Sequence, residues 1–372
     1  MLQNPPLTTE KNIDELLIWV RLSLIEGLGA QTFCQLLKSF GHPQAVFQAA
    51  IADLKRIVSE KIALQIKADF DESLLTKTRE WLSQSDNFII TLADASYPQS
   101  LLEISDPPPF LYAKGNTSLL NQASIAVVGS RSASVQGEKN AHAFSFELAQ
   151  HGLVVVSGMA LGIDGAAHRG ALAATGATIA VVGTGLDIVY PAKHRDLAHE
   201  IAKHGLIISE FPLGTPSMAK NFPKRNRIIS GLSMGCLVVE ANLQSGSQIT
   251  ARLAGEQGRE VFAIPGSIHS PTAKGCHQLI KQGAKLVDCI QDILEELHWE
   301  IDISTKKSQP AKIDETANHP VLQLMSYEPT PLETIVNLSN LPVNEVSSML
   351  MMLELEGKIA SLPGGKYQKI SD

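Results

Sequence analysis

Cysteine is scarce in this chain, and none of Cys34, Cys236, Cys276 and Cys289 forms a Cys-x-x-Cys pair. The one Cys-His neighbour pair, Cys276-His277, puts two adjacent ligands where a tetrahedral site needs separated ones. This argues against a zinc ribbon or a disulfide framework, and reduced thiols in a cytosolic protein are expected. Long apolar runs are also missing: none reaches the roughly 20 residues that span a bilayer. The polar, proline-bearing start lacks the basic-then-apolar order of a signal peptide. The expectation is a soluble cytoplasmic protein with no membrane partner. Positive charge is in deficit, since 31 Lys and Arg face 38 Asp and Glu for a net −7. Any nucleic-acid contact must then come from a local basic patch rather than from long-range attraction. Several catalytic and cofactor signatures are absent too. There is no Gly-x-Gly-x-x-Gly fingerprint after a strand, no Walker lysine loop, no nucleophile elbow and no Ser-His-Asp order. NAD and FAD are disfavoured, and neither a cofactor nor a metal is expected.

What is present is organised in blocks. At 372 residues and 44% hydrophobic, the chain has enough apolar material for two or three domains. Residues 1–85 read as a helical domain, with Leu16, Leu17, Val20 and Leu24 and then Phe33, Leu36, Leu37 and Phe40 at three-to-four spacing. The turn Ile25-Glu26-Gly27-Leu28-Gly29 between them suggests a helix-hairpin-helix or SAM-like unit. Residues 86–298 alternate short apolar runs with Ala- and Leu-rich helical segments. Strands are expected at 88–92, 124–128, 153–156, 178–182, 206–209, 236–239, 260–264 and 285–287, and helices at 137–151, 163–175, 195–204, 248–257 and 275–282. That pattern predicts an α/β fold, a doubly wound Rossmann-like parallel sheet. Asp106-Pro107-Pro108-Pro109 reads as an extended connector. Residues 299–318 are polar and aperiodic, a linker. Residues 319–372 show three helical patterns and a hairpin around Pro363-Gly364-Gly365, a winged helix.

Ligands of open parallel sheets bind beyond the carboxyl ends of the strands, so the loops there carry the candidate sites. Gly129, Ser130 and Arg131 follow the second expected strand. Small residues let an anion approach the amides, and Arg131 adds a bidentate fork. The densest signal is Lys220, Asn221, Phe222, Lys224, Arg225, Asn226 and Arg227, which runs into an apolar helix expected from Ile228. Cations for phosphates and an aromatic face for a base are what a single-strand groove requires. About three neutralised phosphates predict a log-affinity slope near −2 against log salt. Gly158, Gly183, Gly185, Ser245, Gly246 and Ser247 are expected to shape loops at the same rim. Asp164 and His168 share a helix face, which permits an acid–base pair, although capping and local hydrogen bonding fit them better. Asp164, Glu210 and Glu240 have no metal-ligand spacing and read as caps or salt-bridge partners.

Taken in order, these motifs resemble the DNA-processing protein A family (DprA, also called Smf). The resemblance rests on Gly129-Ser130-Arg131, the run from Val156 to Asp164, Gly183-Thr184-Gly185-Leu186-Asp187, Tyr190-Pro191, Glu210-Phe211-Pro212, the run from Phe222 to Leu232, Val239-Glu240-Ala241 and Ser245-Gly246-Ser247. The resemblance implies a dimeric, non-enzymatic protein of natural transformation. Such a protein binds and protects incoming single-stranded DNA and loads the RecA recombinase onto it. The DNA-contacting positions it implies are Ser130, Arg131, Phe222, Lys224, Arg225 and Arg227. Two other readings exist. A hydrolase of nucleotide phosphates would use Glu240 as its base. However, Gln244-Ser245-Gly246-Ser247 stands where the phosphoribohydrolases of the lysine-decarboxylase-like group carry Pro-Gly-Gly-x-Gly-Thr. A tail that reads duplex DNA would need cations on its candidate recognition helix, 344–355, which carries Glu instead.

Overall fold

The computed structural model describes residues 12–299, 319–325 and 327–370, so the expected linker lies outside them except for Trp299. The first described block is helical: α1 (Ile13–Ser23), α2 (Ala30–Phe40), α3 (Pro43–Gln48), α4 (Ile51–Leu54), α5 (Glu60–Lys67) and α6 (Ser73–Leu82). The apolar spacing turns Leu16, Val20, Phe33 and Leu36 inward, and the Trp19 and Phe33 rings stack with centroids 5.9 Å apart. Gly27, at φ +84°, makes the turn between α1 and α2. Ile89, Phe110, Tyr112 and Leu213 complete this core. The helices and the sheet that follows therefore meet across a continuous apolar core on either side of residue 85.

That sheet comprises β1 (Asn87–Thr91), β2 (Phe110–Gly115), β3 (Ser124–Val128), β4 (Val154–Ser157), β5 (Thr178–Val181), β6 (Leu206–Ser209), β7 (Gly235–Val238), β8 (Glu260–Ala263) and β9 (Lys285–Leu286). Interleaved with the strands are α7 (Gln99–Leu102), α8 (Val135–Gln150), α9 (Ile163–Ala174), α10 (Arg195–His204), α11 (Asn221–Leu232), α12 (Gly246–Glu256), α13 (Lys274–Lys281) and α14 (Ile290–Glu296). The strand order is β1-β2-β6-β5-β4-β3-β7-β8-β9. From β6 to β9 every pairing is parallel, whereas β2 runs against both its neighbours. Strand period puts Ile125 and Val127 on one face, under α8, α9 and α14, and Ala126 and Val128 on the other, under α11, α12 and α13. Both faces are covered, as the uninterrupted apolar runs required. The chain order reverses between β3 and β7, and this switch point opens the crevice where such sheets take ligands.

Short elements such as α7 and α14 were not expected, and two larger differences stand out. Strand β2 was not anticipated because it follows three prolines and runs antiparallel, outside the strand–helix rhythm. Helix α11 begins at Asn221 rather than Ile228, so the basic segment forms its first two turns. Pro223 is accepted there because the first-turn amides have no intrahelical acceptor.

The tail holds α15 (Pro320–Leu324), β10 (Thr330–Pro331), α16 (Leu332–Ser339), α17 (Val343–Leu355), β11 (Ile359–Leu362) and β12 (Lys366–Lys369). Val321, Ile335, Val346, Leu350 and Ile359 form its separate core. Helix α17 exposes Met351, Met352 and Leu355 and carries no Lys or Arg. Among the described residues no helix is long and apolar enough to cross a membrane.

Candidate nucleic-acid interface

The loops after β3 and β7 bound a basin of about 690 Å³ at the switch point. Gly129, Ser130 and Arg131 form one wall, Ser245, Gly246 and Ser247 another, and Phe222, Arg225 and Asn226 of α11 complete the lining. The β3 loop is pinned from behind. Ser130 N–H donates to the Glu240 carbonyl at 2.8 Å, and the Glu240 carboxylate accepts from Ser134 N–H at 2.9 Å and Ser134 Oγ at 2.5 Å. The carboxylate fits because residue 137 is glycine: a Cβ there would fall 2.5 Å from Glu240 Cδ. Ser134 in turn caps α8 by accepting from Gly137 N–H. Glu240 is thus a loop staple rather than a free base.

Phe222 is the hub of the basin. The Arg131 guanidinium lies 5.1 Å from its ring centroid and that of Arg225 5.9 Å, both within cation–π range. The Tyr190 ring stands 5.9 Å away, tilted 41°. Gly183 lies against the Phe222 ring and accepts a hydrogen bond from Asn221 Nδ2 at 3.0 Å. Arg131 is exposed at the rim, whereas Arg225 is only 4% exposed and forms the floor. Arg225 Nη1 donates to the Val181 carbonyl at 3.0 Å, and its Nε has no hydrogen-bond partner. Burial pulls this guanidinium down to about 10, which leaves it charged at neutral pH. Asp164, beside it, is pushed up by its own burial, against Arg225 and the amides of Ala160 and Gly158. Those amides donate to Asp164 at 3.3 and 3.1 Å and fix the loop after β4.

The other expected residues divide between the basin's edge and sites away from it. Lys220 and Lys224 are exposed on the flank of α11. Asn226 Nδ2 donates to the Gly246 carbonyl at 3.3 Å and ties α11 to the β7 loop, in which Ser245 and Ser247 bond each other at 2.7 Å. Arg227 requires a correction. Two residues beyond Arg225, about 200° round the helix, it faces away from the basin, where it pairs with Asp106 at 3.0 Å and with Glu210, and donates to the Asp106 carbonyl at 2.7 Å. It is engaged there as a structural cation and is not among the residues that line the basin. Asp164 and His168 also part company. His168 Nδ1 lies 2.7 Å from Thr178 Oγ1, which itself donates to the Val155 carbonyl. The imidazole must therefore donate there, and its buried Nε2 is left without a partner. Burial, with His194 and Arg225 assisting, lowers His168 to about 3, so it is neutral.

The model of DNA recombination-mediator protein A matches residues 88–298, and that of the DprA winged helix domain matches residues 305–365. The chain belongs to the DNA recombination-mediator protein A family. It is similar to Protein Smf of Escherichia coli, at 40% identity over 360 residues, covering 94% of each chain. It is also similar to DNA processing protein DprA of Streptococcus pneumoniae, at 42% identity over 69% of this chain and 89% of that protein. The solved structure of the S. pneumoniae protein superposes with a TM-score of 0.66 at 39% identity, covering 77% of this chain and 98% of that one. A structure of DNA processing protein A from Helicobacter pylori, solved for its single-stranded DNA binding mode, gives 0.52 at 32% identity over 56% and 95%.

Sequence reasoning missed Tyr190, Ser217, Asn242 and Thr250, which also line the basin of this family member. Tyr190 had a signal, since Tyr190-Pro191 stood among the motifs. The others are single polar residues with no local pattern around them.

Proposed function

We propose that the switch-point basin binds single-stranded DNA, and that the chain acts in natural transformation as a cytoplasmic recombination mediator. In this reading it protects the incoming strand and loads the RecA recombinase onto it as a homodimer, without catalysing a reaction. The observation that carries the proposal is the Phe222 ring at an open basin with the Arg131 and Arg225 guanidiniums both within cation–π range of it. An aromatic face stacks on any base, and two guanidiniums beside it take the flanking phosphates. The H. pylori relative, described by its single-stranded DNA binding mode, supports the same ligand. The engagement of Glu240 by Ser134 weighs against a hydrolase.

The same reading divides the chain into a helical module at 1–85, a binding core at 86–298, a linker at 299–318 and a winged helix at 319–372. The tail is assigned to protein contact, because α17 offers Met351, Met352 and Leu355 with Glu345 and Glu354 and no cation.

The test is a titration of labelled oligonucleotides of mixed sequence, single- and double-stranded, at two ionic strengths. Sequence-tolerant, salt-sensitive preference for single strands is expected. Equal affinity for duplex, or none for either, would refute the proposal. RecA filament formation on coated strands, with and without the protein, tests the loading step.

A further inference from the structure

We infer that the N-terminal helical module positions one wall of the basin, and that Lys77 is the positioning residue through which it acts. The inference rests on the single-strand reading above and assigns a role to a module none of whose described residues lines the basin. Lys77 projects from α6, and its Nζ lies 2.6 Å from Asp187 Oδ2, in the loop after β5. The same carboxylate accepts from Gly214 N–H at 2.8 and 3.0 Å, in the loop after β6. One side chain of the helical module therefore clamps two loops of the sheet domain at a single carboxylate. Gly185 N–H donates to the Thr215 carbonyl at 3.0 Å, a second tie between these loops.

Both loops lead straight to the aromatic wall. The β5 loop continues from Asp187 to Tyr190, and the β6 loop continues from Gly214 into α11 and Phe222. Asn221 Nδ2 closes the circuit by donating to the Gly183 carbonyl. Apolar packing holds the assembly from below. Leu213 is 3% exposed and belongs to the helical module's core, while Leu186 packs against both that core and the cluster around Met159 and Val182. The distance between the Tyr190 and Phe222 rings is thus set by where the helical module docks. The Arg131 backbone is held from elsewhere, through the Ser130–Glu240 tie, and its exposed guanidinium reaches solvent beside the ring. The module therefore governs base stacking and leaves the exposed phosphate contact unchanged.

Lys77 is half exposed, so its pair acts as a modest orienting restraint and is no pillar of stability. The test compares the full-length parent, Lys77→Ala and Lys77→Arg. The probes are a labelled oligothymidylate and an abasic deoxyribose-phosphate strand of equal length. Lys77→Ala is expected to bind the oligothymidylate about two- to fivefold more weakly, the range of a half-exposed ion pair. Its abasic-strand affinity, salt slope and melting temperature should match the parent, and Lys77→Arg should restore the loss. Parental affinity of Lys77→Ala for both strands overturns the inference. So does an equal loss on both strands with a lowered melting temperature, which marks general loosening. A parent that binds neither strand overturns the single-strand reading, and this inference with it.

Discussion

Gly158 and Arg225 share a volume that admits no Cβ: a methyl added to residue 158 would fall 2.5 Å from Arg225 Cζ and closer still to Nη1. The end of β4 thus seats the floor cation. Gly158→Ala must expel the guanidinium and break its bond to the Val181 carbonyl. Its single-strand affinity is expected to fall to the level of Arg225→Ala, about tenfold or more below the parent. Because the guanidinium is buried beside Asp164, both variants should also melt lower. Oligonucleotide titration and thermal melting check this, and parental affinity in Gly158→Ala would contradict it.

Arg131 and Phe222 touch the strand in different ways, and salt separates them. Arg131→Ala removes an exposed phosphate contact, so the log-affinity slope against log salt should flatten by about 0.7 with no change in melting temperature. Phe222→Ala removes a stacking face and should cost about 1–3 kcal/mol at every salt concentration, with the slope preserved. A Phe222→Ala variant with a flattened slope would show that the ring's main task is to hold the guanidiniums.

Arg227 behaves otherwise. Removing it strands Glu210 and Asp106, two carboxylates gathered around a guanidinium 10% exposed. Arg227→Ala should destabilise the fold by about 3 kcal/mol, the lower end for breaking a buried pair, because Asp106 is partly open to water. At a temperature where the variant is folded, its salt slope should equal the parent's. Urea unfolding gives the first quantity and the oligonucleotide titration the second.

His168 gives the fold a pH dependence. It is neutral and buried with a folded value of about 3, against 6.5 when unfolded. The unfolded chain binds the extra proton between those values. The stabilising contribution is therefore full above about 6.5 and drains away as pH falls toward 3, by at most about 1.4 kcal/mol per pH unit. His168→Gln should flatten this limb of the stability profile, whatever its effect at neutral pH. Denaturant midpoints measured from pH 7.5 to 4.5 in both proteins test it.

Strands buried on both faces announce themselves as apolar runs, which is why β3 to β8 were legible within a residue or two. The strand-end rule also brought Arg131 and Arg225 to one place, since β3 and β7 are neighbours across the switch point. Partners distant in sequence were not legible. Lys-Arg-Asn-Arg reads as a row of cations offered to phosphates, but Arg225 and Arg227 are buried because Val181, Asp106 and Glu210 await them. Local pattern carries no trace of an ion pair formed 121 residues away. Phe110-Leu111-Tyr112-Ala113 was hidden for a different reason. Antiparallel pairing with β1 on one side and with the sequence-distant β6 on the other makes it a strand.

The central claim is that bases stack at Phe222 with Tyr190 beside it. Irradiating the protein with an oligonucleotide that carries 5-iodouracil, then mapping the adducts by mass spectrometry, tests this most directly. The account predicts adducts at Phe222 or Tyr190 that vanish on competition with unlabelled single strand. Adducts confined to Tyr327 or Tyr367 of the tail, with none at the basin, would contradict it.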